Sequence, residues 1–203
     1  MKACAIGIRV HSGWGALVAV SSEPDETQVV DRRRVEIIDR SVPGAVQPYH
    51  FAKQRDLRAG EKHVADSAAA SAKLARAAIR EVVGHLQSQD YKVVAAAILL
   101  SSGRPLPDFA KILASHAMIH TAEGEFFRQA FREACVSLKI PVTGIRERNL
   151  DELAKATFGR AAGPLKKRIA GLGKTLGPPW TTDEKTAALA AAIVLAKQIQ
   201  QPQ

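Results

Sequence analysis

Residues 92–100, KVVAAAILL, form an almost continuous apolar run. A strand with one wet face alternates apolar and polar residues. An unbroken run of this length reads as a strand buried on both faces. Something must then cover both faces, and the chain supplies long helices to do so. Before the run, Val64, Ala68, Ala72, Leu74, Ala75, Ala78, Ile79, Val82, Val83 and Leu86 recur at helical spacing across about 62–87. After it, a second long helix runs to about 138. A last helix, TTDEKTAALAAAIVLAKQIQ, is capped by Thr181 or Thr182, with acids in its first turn. A doubly buried strand among long helices defines an α/β domain.

The remaining strands are shorter signals. Residues 3–9 are apolar and β-compatible, His11–Gly13 breaks the run as a tight turn does, and WGALVAV (14–20) follows. After the polar turn SSEPDET (21–27), QVVDRRRVEII (28–38) is polar enough for a sheet edge, where DRRR guards against stray pairing. Three strands with short turns make an antiparallel meander. PVTGIRE (141–147) is a further strand, and NLDELAKATFG begins a short helix capped by Asn149 or Asp151. Residues 41–60 read as irregular because of Pro43, Gly44 and Pro48. Residues 101–108 read as a loop, and the basic Gly/Pro-rich stretch 160–180 as partly irregular. The order β-β-β-α-β-α-β-α predicts one mixed sheet over residues 1–203 as a single domain. The later strands lie parallel to the first and are joined by right-handed crossovers.

Charge narrows the partners. The chain has 29 Lys and Arg against 20 Asp and Glu, a formal net charge of +9. That excess favours nucleic acid, a phosphorylated ligand or an anionic surface, unless it only reflects a basic proteome. The longest apolar stretch, 186–196, is too short and alanine-rich to span a bilayer, so no membrane role is expected. Arg9 and His11 interrupt what would be the apolar core of a secretory signal. Two cysteines, Cys4 and Cys135, make neither a disulfide framework nor a cysteine zinc site. Free thiols in a reducing cytoplasm are the expectation.

The order of elements resembles the ribonuclease H-like fold, in particular the branch that holds the Holliday-junction resolvases. In that family the first strand ends Gly-Ile-Asp, followed by a Gly/Ser turn and a second strand. Here GIRVHSGWGALVAV falls in the same frame, with Gly7, Ile8 and then Arg9 at the acidic position. Family members carry a carboxylate just after the fourth strand, where this chain has Ser101, Ser102, Gly103 and Arg104. The last helix resembles the family's in opening with acids, Asp183 and Glu184, and running into alanines. The resemblance implies the fold over nearly the whole chain. It also implies nucleases that hold two magnesium ions between clustered carboxylates. Arginine is a permanent cation and no metal ligand, so Arg9 argues against that chemistry here.

In an open α/β sheet, ligands gather beyond the carboxyl ends of the strands. Those ends offer Arg9 and His11, then Ser101, Ser102 and Arg104, then Arg146 and Arg148. Arginine forks bind phosphate or carboxylate. Alternatively, the same arginines pair with Asp183, Glu184 or Glu147 and tie the sheet edge together. The second long helix carries SHAMIHTAEGEFFR, which puts His116, His120 and Glu123 on one helix face. Two imidazoles and a carboxylate suit a divalent transition metal, with His11 or His50 as possible further donors. The other readings are acid–base work by a His–Glu pair and plain polar contacts at the core edge. In QPYHF (47–51), Tyr49 and His50 either meet a ligand or, with Phe51 and Trp14, seal the loop onto the sheet. Lys166, Lys167, Arg168 and Lys174, with Trp180 nearby for stacking, make an electrostatic footprint for a nucleic-acid backbone or else a solvated basic loop. GLGKT (171–175) echoes a phosphate-binding loop, but Arg168 stands where its first glycine is required.

Three readings of function follow. The leading one is an atypical ribonuclease H-like protein that binds nucleic acid or a phosphorylated ligand through an arginine-rich strand-end pocket. The second is a hydrolase or nuclease with a rebuilt site, its catalytic residues His11, His120 and Glu123, with a divalent metal on His116, His120 and Glu123. The third is a structural or interaction module without catalysis.

Overall fold

The computed structural model describes residues 1–23, 26–101 and 105–200. Strands β1 (Lys2–His11), β2 (Trp14–Glu23) and β3 (Glu26–Glu36) form the meander. They are followed by α1 (Pro48–Ala52), α2 (Leu57–Ser88), β4 (Tyr91–Leu100), α3 (Phe109–Leu113), α4 (His116–Ser137) and β5 (Val142–Arg146). Helices α5 (Leu150–Phe158), α6 (Ala162–Gly171), α7 (Gly173–Leu176) and α8 (Thr182–Gln200) complete the order. The five strands run β3-β2-β1-β4-β5. Strands β1, β2 and β3 pair antiparallel, while β4 pairs parallel to β1 and β5 parallel to β4. This is the mixed sheet expected from the element order. β1 lies at its centre and β3 at an edge.

Each face has its own core. On one, α2 and α4 bring Ile79, Val82, Phe127 and Phe131 against Ile6, Ile8, Leu17 and Ile98. On the other, α8 with α5 and α6 covers Ala5, Val18, Ala97 and Leu99. Helix α8 lies very close to the sheet. A Cβ built on Gly7 would run into the Ala187 carbonyl oxygen and crowd the Ala191 nitrogen. The alanine run of α8 and the glycine in β1 are therefore two sides of one contact. Both cysteines are free and buried. Burial pushes their thiols up, Cys4 to about 11 and Cys135 to about 12.

Several expected boundaries move. The third strand lies at 26–36 rather than 28–38. Pro48, read as a breaker, opens α1 at its first turn, where a missing N–H is harmless. Helix α2 starts at 57, not 62, because the Asp56 side chain accepts from Ala59 N–H. The single long helix ending near 138 is two helices, since Ser115 caps α4 through Met118 N–H. The stretch 160–180, expected to be partly irregular, is mostly helical. Ala162, Leu165 and Ile169 recur on one face and are buried, while Gly163 and Gly171 have open space around them. Trp180 is buried and donates Nε1–H to the Ile169 carbonyl at 2.7 Å, so it plugs the core and is no stacking surface.

The arginines of DRRR do more than guard an edge. Arg32 donates to the carbonyls of Leu176, Gly177 and Pro179 at 2.5–2.8 Å, clasping the turn before α8. Arg33, pointing the other way, meets Glu81 of α2 at 3.3 Å. Among the described residues, no helix is long and apolar enough to cross a membrane.

Candidate functional site

The parallel order of β1, β4 and β5 brings their carboxyl ends together, and the close approach of α8 at Gly7 carries its first turn to the same place. Arg9 stands at the end of the central strand. Its Nε donates to Glu147 Oε1 at 2.5 Å and its Nη2 to Glu147 Oε2 at 3.2 Å, a bidentate fork. Its Nη1 donates to Asp183 Oδ1. The other carboxylate oxygen, Asp183 Oδ2, lies 2.8 Å from His11 Nε2. Hydrogen bonding to Glu147 is the largest influence on the Arg9 guanidinium and raises its pKa. Burial works against this, and the bond to Asp183 adds to it.

The turn between β1 and β2 completes the edge. Gly13 adopts φ +80°, and its carbonyl accepts from Ile37 N–H at 2.9 Å. Trp14 then stacks on His11, with centroids 4.3 Å apart and planes 11° from parallel. The Arg34 guanidinium lies 3.6 Å from the Trp14 ring centroid. At the start of α8, Thr181 Oγ1 accepts from Asp183 N–H, and Glu184 Oε2 accepts from the backbone and hydroxyl of Thr181. This capping box fixes where Asp183 points. Asp183 and Glu184 are thus divided between the ion network and the helix cap.

A cleft of about 510 Å³ opens beside this network, lined by Arg9, His11, Ser101, Arg128, Glu147 and Arg148 among others. Arg128 reaches it from α4. The residue is only 8% exposed, and its Nη2 donates to Ser101 Oγ at 2.9 Å while its Nε faces Glu125 at 3.2 Å. The resemblance to ribonuclease H-like nucleases implies magnesium at this strand end. The donor set does not fit it. A guanidinium already bridges Glu147 and Asp183, so a permanent cation occupies the position a divalent ion would need.

A second polar cluster lies where α1 meets α4. Glu123 is buried, 3% exposed, and its Oε1 accepts from the backbone N–H of His50 at 3.2 Å. The same oxygen lies 3.0 Å from His50 Nδ1. An ionised carboxylate can only accept, so Oε1 takes both bonds and Nδ1 carries the proton. His116 Nε2 and His120 Nε2 are 3.0 Å apart. The His50 ring lies edge-on to both, with centroids at 5.3 and 4.9 Å. Burial, with a smaller contribution from the Glu123 charge, pushes the Tyr49 phenol up. Tyr49 packs on Phe109 and Phe126, sealing α1 onto the helices.

The residues singled out in the sequence fall into separate groups. His11 bonds to Asp183 and stacks on Trp14, whereas His120 and Glu123 belong to the α1–α4 cluster. Among the described residues, no hydrogen bond or ring contact joins His11 to either of them. His116 and His120 are side by side, with Glu123 turned toward His50. Ser102 and Arg104 lie outside the described residues. Arg146 is half-buried at the end of β5 and Arg148 is exposed just beyond it. Lys166 pairs with Asp151 at 2.7 Å, lowering that carboxyl. Lys167 and Lys174 are exposed and Arg168 is half-buried. Sequence reasoning passed over Arg128, read Arg34 only as part of the edge-guarding DRRR, and placed Trp14 in a loop seal rather than between His11 and Arg34. Arg128 carries no sequence signal, since a lone arginine on an amphipathic helix reads as solvated. The alternation of β3 could have placed Arg34 on the face opposite Arg33.

The meander, the parallel extension and the helices on both faces define a ribonuclease H-like α/β fold. No protein-family model and no curated protein matches the chain. Among solved structures, a Thermus thermophilus RuvC in complex with Holliday junction substrate is similar at a TM-score of 0.55 and 11% identity, covering 98% of this chain and 97% of that one. Another Thermus thermophilus RuvC structure gives 0.53 and 13% identity over the same shares. At such identities the likeness establishes the fold alone.

Proposed function

We propose that this protein binds nucleic acid, or another phosphate-bearing ligand, at the strand-end cleft, without the two-metal hydrolysis of the nucleases it resembles. Arg9 is the keystone of the cleft wall, and its own charge is spent on Glu147 and Asp183. The supporting observation is the pair Arg146 and Arg148. Arg148 lines the cleft and Arg146 ends β5 two residues before it, and among the described residues no ion pair engages either one. Exposed Lys167 and Lys174 and half-buried Arg168 extend the positive surface across α6 and α7, with Lys166 partly offset by Asp151. The net charge of +9 favours a polyanion over a small acid. The RuvC of similar fold is seen with a Holliday junction substrate, which makes branched DNA the first ligand to try.

The test is fluorescence anisotropy with labelled single-stranded, duplex and four-way DNA and with RNA, over a sodium chloride series. Affinity is expected to fall steeply with salt, and an Arg146→Glu, Arg148→Glu double variant to lose at least about tenfold. Absence of salt-sensitive binding to every probe would sink the proposal.

A further inference from the structure

We propose that His50, His116 and His120 form a binding site for one first-row divalent transition metal, zinc above all, with Glu123 as the carboxylate that orients His50. The site is separate from the strand-end cleft and does not rest on the nucleic-acid reading. Each histidine offers one ring nitrogen, and the three lie within 4.8 Å of one another. A tetrahedral zinc with bonds of roughly 2.0–2.1 Å sets neighbouring ligand atoms roughly 3.3 Å apart. His116 Nε2 and His120 Nε2, at 3.0 Å, are already close to that spacing. They come from successive turns of one helix, so the backbone holds them in register.

Glu123 is what separates this cluster from an ordinary surface pair of histidines. Its buried carboxylate takes the proton-bearing Nδ1 of His50 and the backbone N–H of the same residue. That fixes the tautomer and leaves Nε2 of His50 as a lone-pair donor. A histidine held by a carboxylate through one nitrogen and free at the other is the arrangement metal sites use to orient and strengthen a ligand. Neutral imidazoles suit zinc, copper, nickel and cobalt rather than magnesium or calcium. His116 and His120 are exposed, so the ion has a path in, and a solvent molecule can take the fourth position. The bound ion would fasten α1, one short helix in an otherwise irregular stretch, to the long helix α4.

The test uses full-length, untagged protein stripped with a chelator and titrated with zinc and with cobalt(II). One metal per chain is expected, with tetrahedral cobalt absorption bands and a melting temperature that rises with metal. His120→Ala and His50→Ala are each expected to abolish binding at one equivalent. Glu123→Gln should weaken it by about 10- to 100-fold. Because His50 helps seat α1, His116→Ala, at an exposed position, serves as the variant whose folding is not in question, and it too should lose the site. Binding of less than one metal per chain, or His50→Ala binding as tightly as the parent, overturns the proposal. The second outcome would reduce the cluster to a two-histidine chelate on a helix.

Discussion

The two polar clusters are built from similar residue types and balanced in opposite ways. At the strand ends, a guanidinium meets two carboxylates and His11 takes the carboxylate oxygen that remains. Arg9, Glu147 and Asp183 are satisfied by one another and by His11. Between α1 and α4, one buried carboxylate steadies one histidine, and the other two imidazoles lean on each other with lone pairs to share. The first cluster has an internal cation where its fold-mates are expected to hold an external one. The second pairs its one carboxylate with a histidine and, on the proposal above, offers the remaining ring nitrogens to a metal. Residue identity alone does not separate these cases. The count of positive against negative groups within bonding distance does.

That contrast can be broken experimentally, beginning with the contact that delivers Asp183. Gly7→Ala places a methyl group against the Ala187 carbonyl and must push α8 outward. The expected loss is about 3 kcal/mol by urea denaturation, with the Arg9–Asp183 pairing lost as well. Stability equal to the parent would mean that α8 tolerates displacement and that Gly7 does not set the position of Asp183. Arg9→Asp should come next. It puts three carboxylates at one strand end, so melting in chelator should fall well below the parent and recover in millimolar magnesium or manganese. The parent should ignore both ions, and a variant equally indifferent would show that the guanidinium does not stand in a cation's place.

Smaller still is Arg9→Ala, expected to cost about 2 kcal/mol, because it strands two carboxylates that are only partly exposed. The loss is held below that of a fully buried pair by solvent around Glu147. The smallest effect belongs to His116→Ala in chelator, within about 0.5 kcal/mol. If the histidine variant were the more damaging of the two without metal, the contrast between a closed and an open cluster would be wrong.

The sequence made the sheet legible because burial leaves a periodic mark. The unbroken run in β4 and the short-turned meander led to the mixed sheet and to the relative directions of its strands. Helix ends were less visible, since Asp56 and Ser115 act through single side-chain bonds that no periodicity reports. Pro48 and the glycines of α6 misled for a related reason. They break helices in the interior but are harmless in a first turn or on an open face. Arg9 was recognisable as out of place only against the resemblance. Its pairing with Asp183, Glu184 or Glu147 was one of the two readings the strand-end arginines allowed, and nothing in the sequence decided between them. The histidine cluster was half visible. His116 and His120 share a helix, but His50 lies on another element, and only the packing of α1 on α4 decides that it, rather than Glu123, faces them.

The contact between Gly7 and Ala187 also bears on how the chain comes to be folded. Strand β1 is synthesised well before α8, the helix that covers one of its faces. Arg9 and Asp183 are 174 residues apart in sequence. Pairings so distant make slow folding, because a long loop must close before any reward is collected. On the ribosome, the meander emerges with the face that α8 will cover still bare and stays so until α8 clears the tunnel. Between those two events the nascent protein shows an apolar surface that holding factors can grip, and the arrival of α8 ends that exposure.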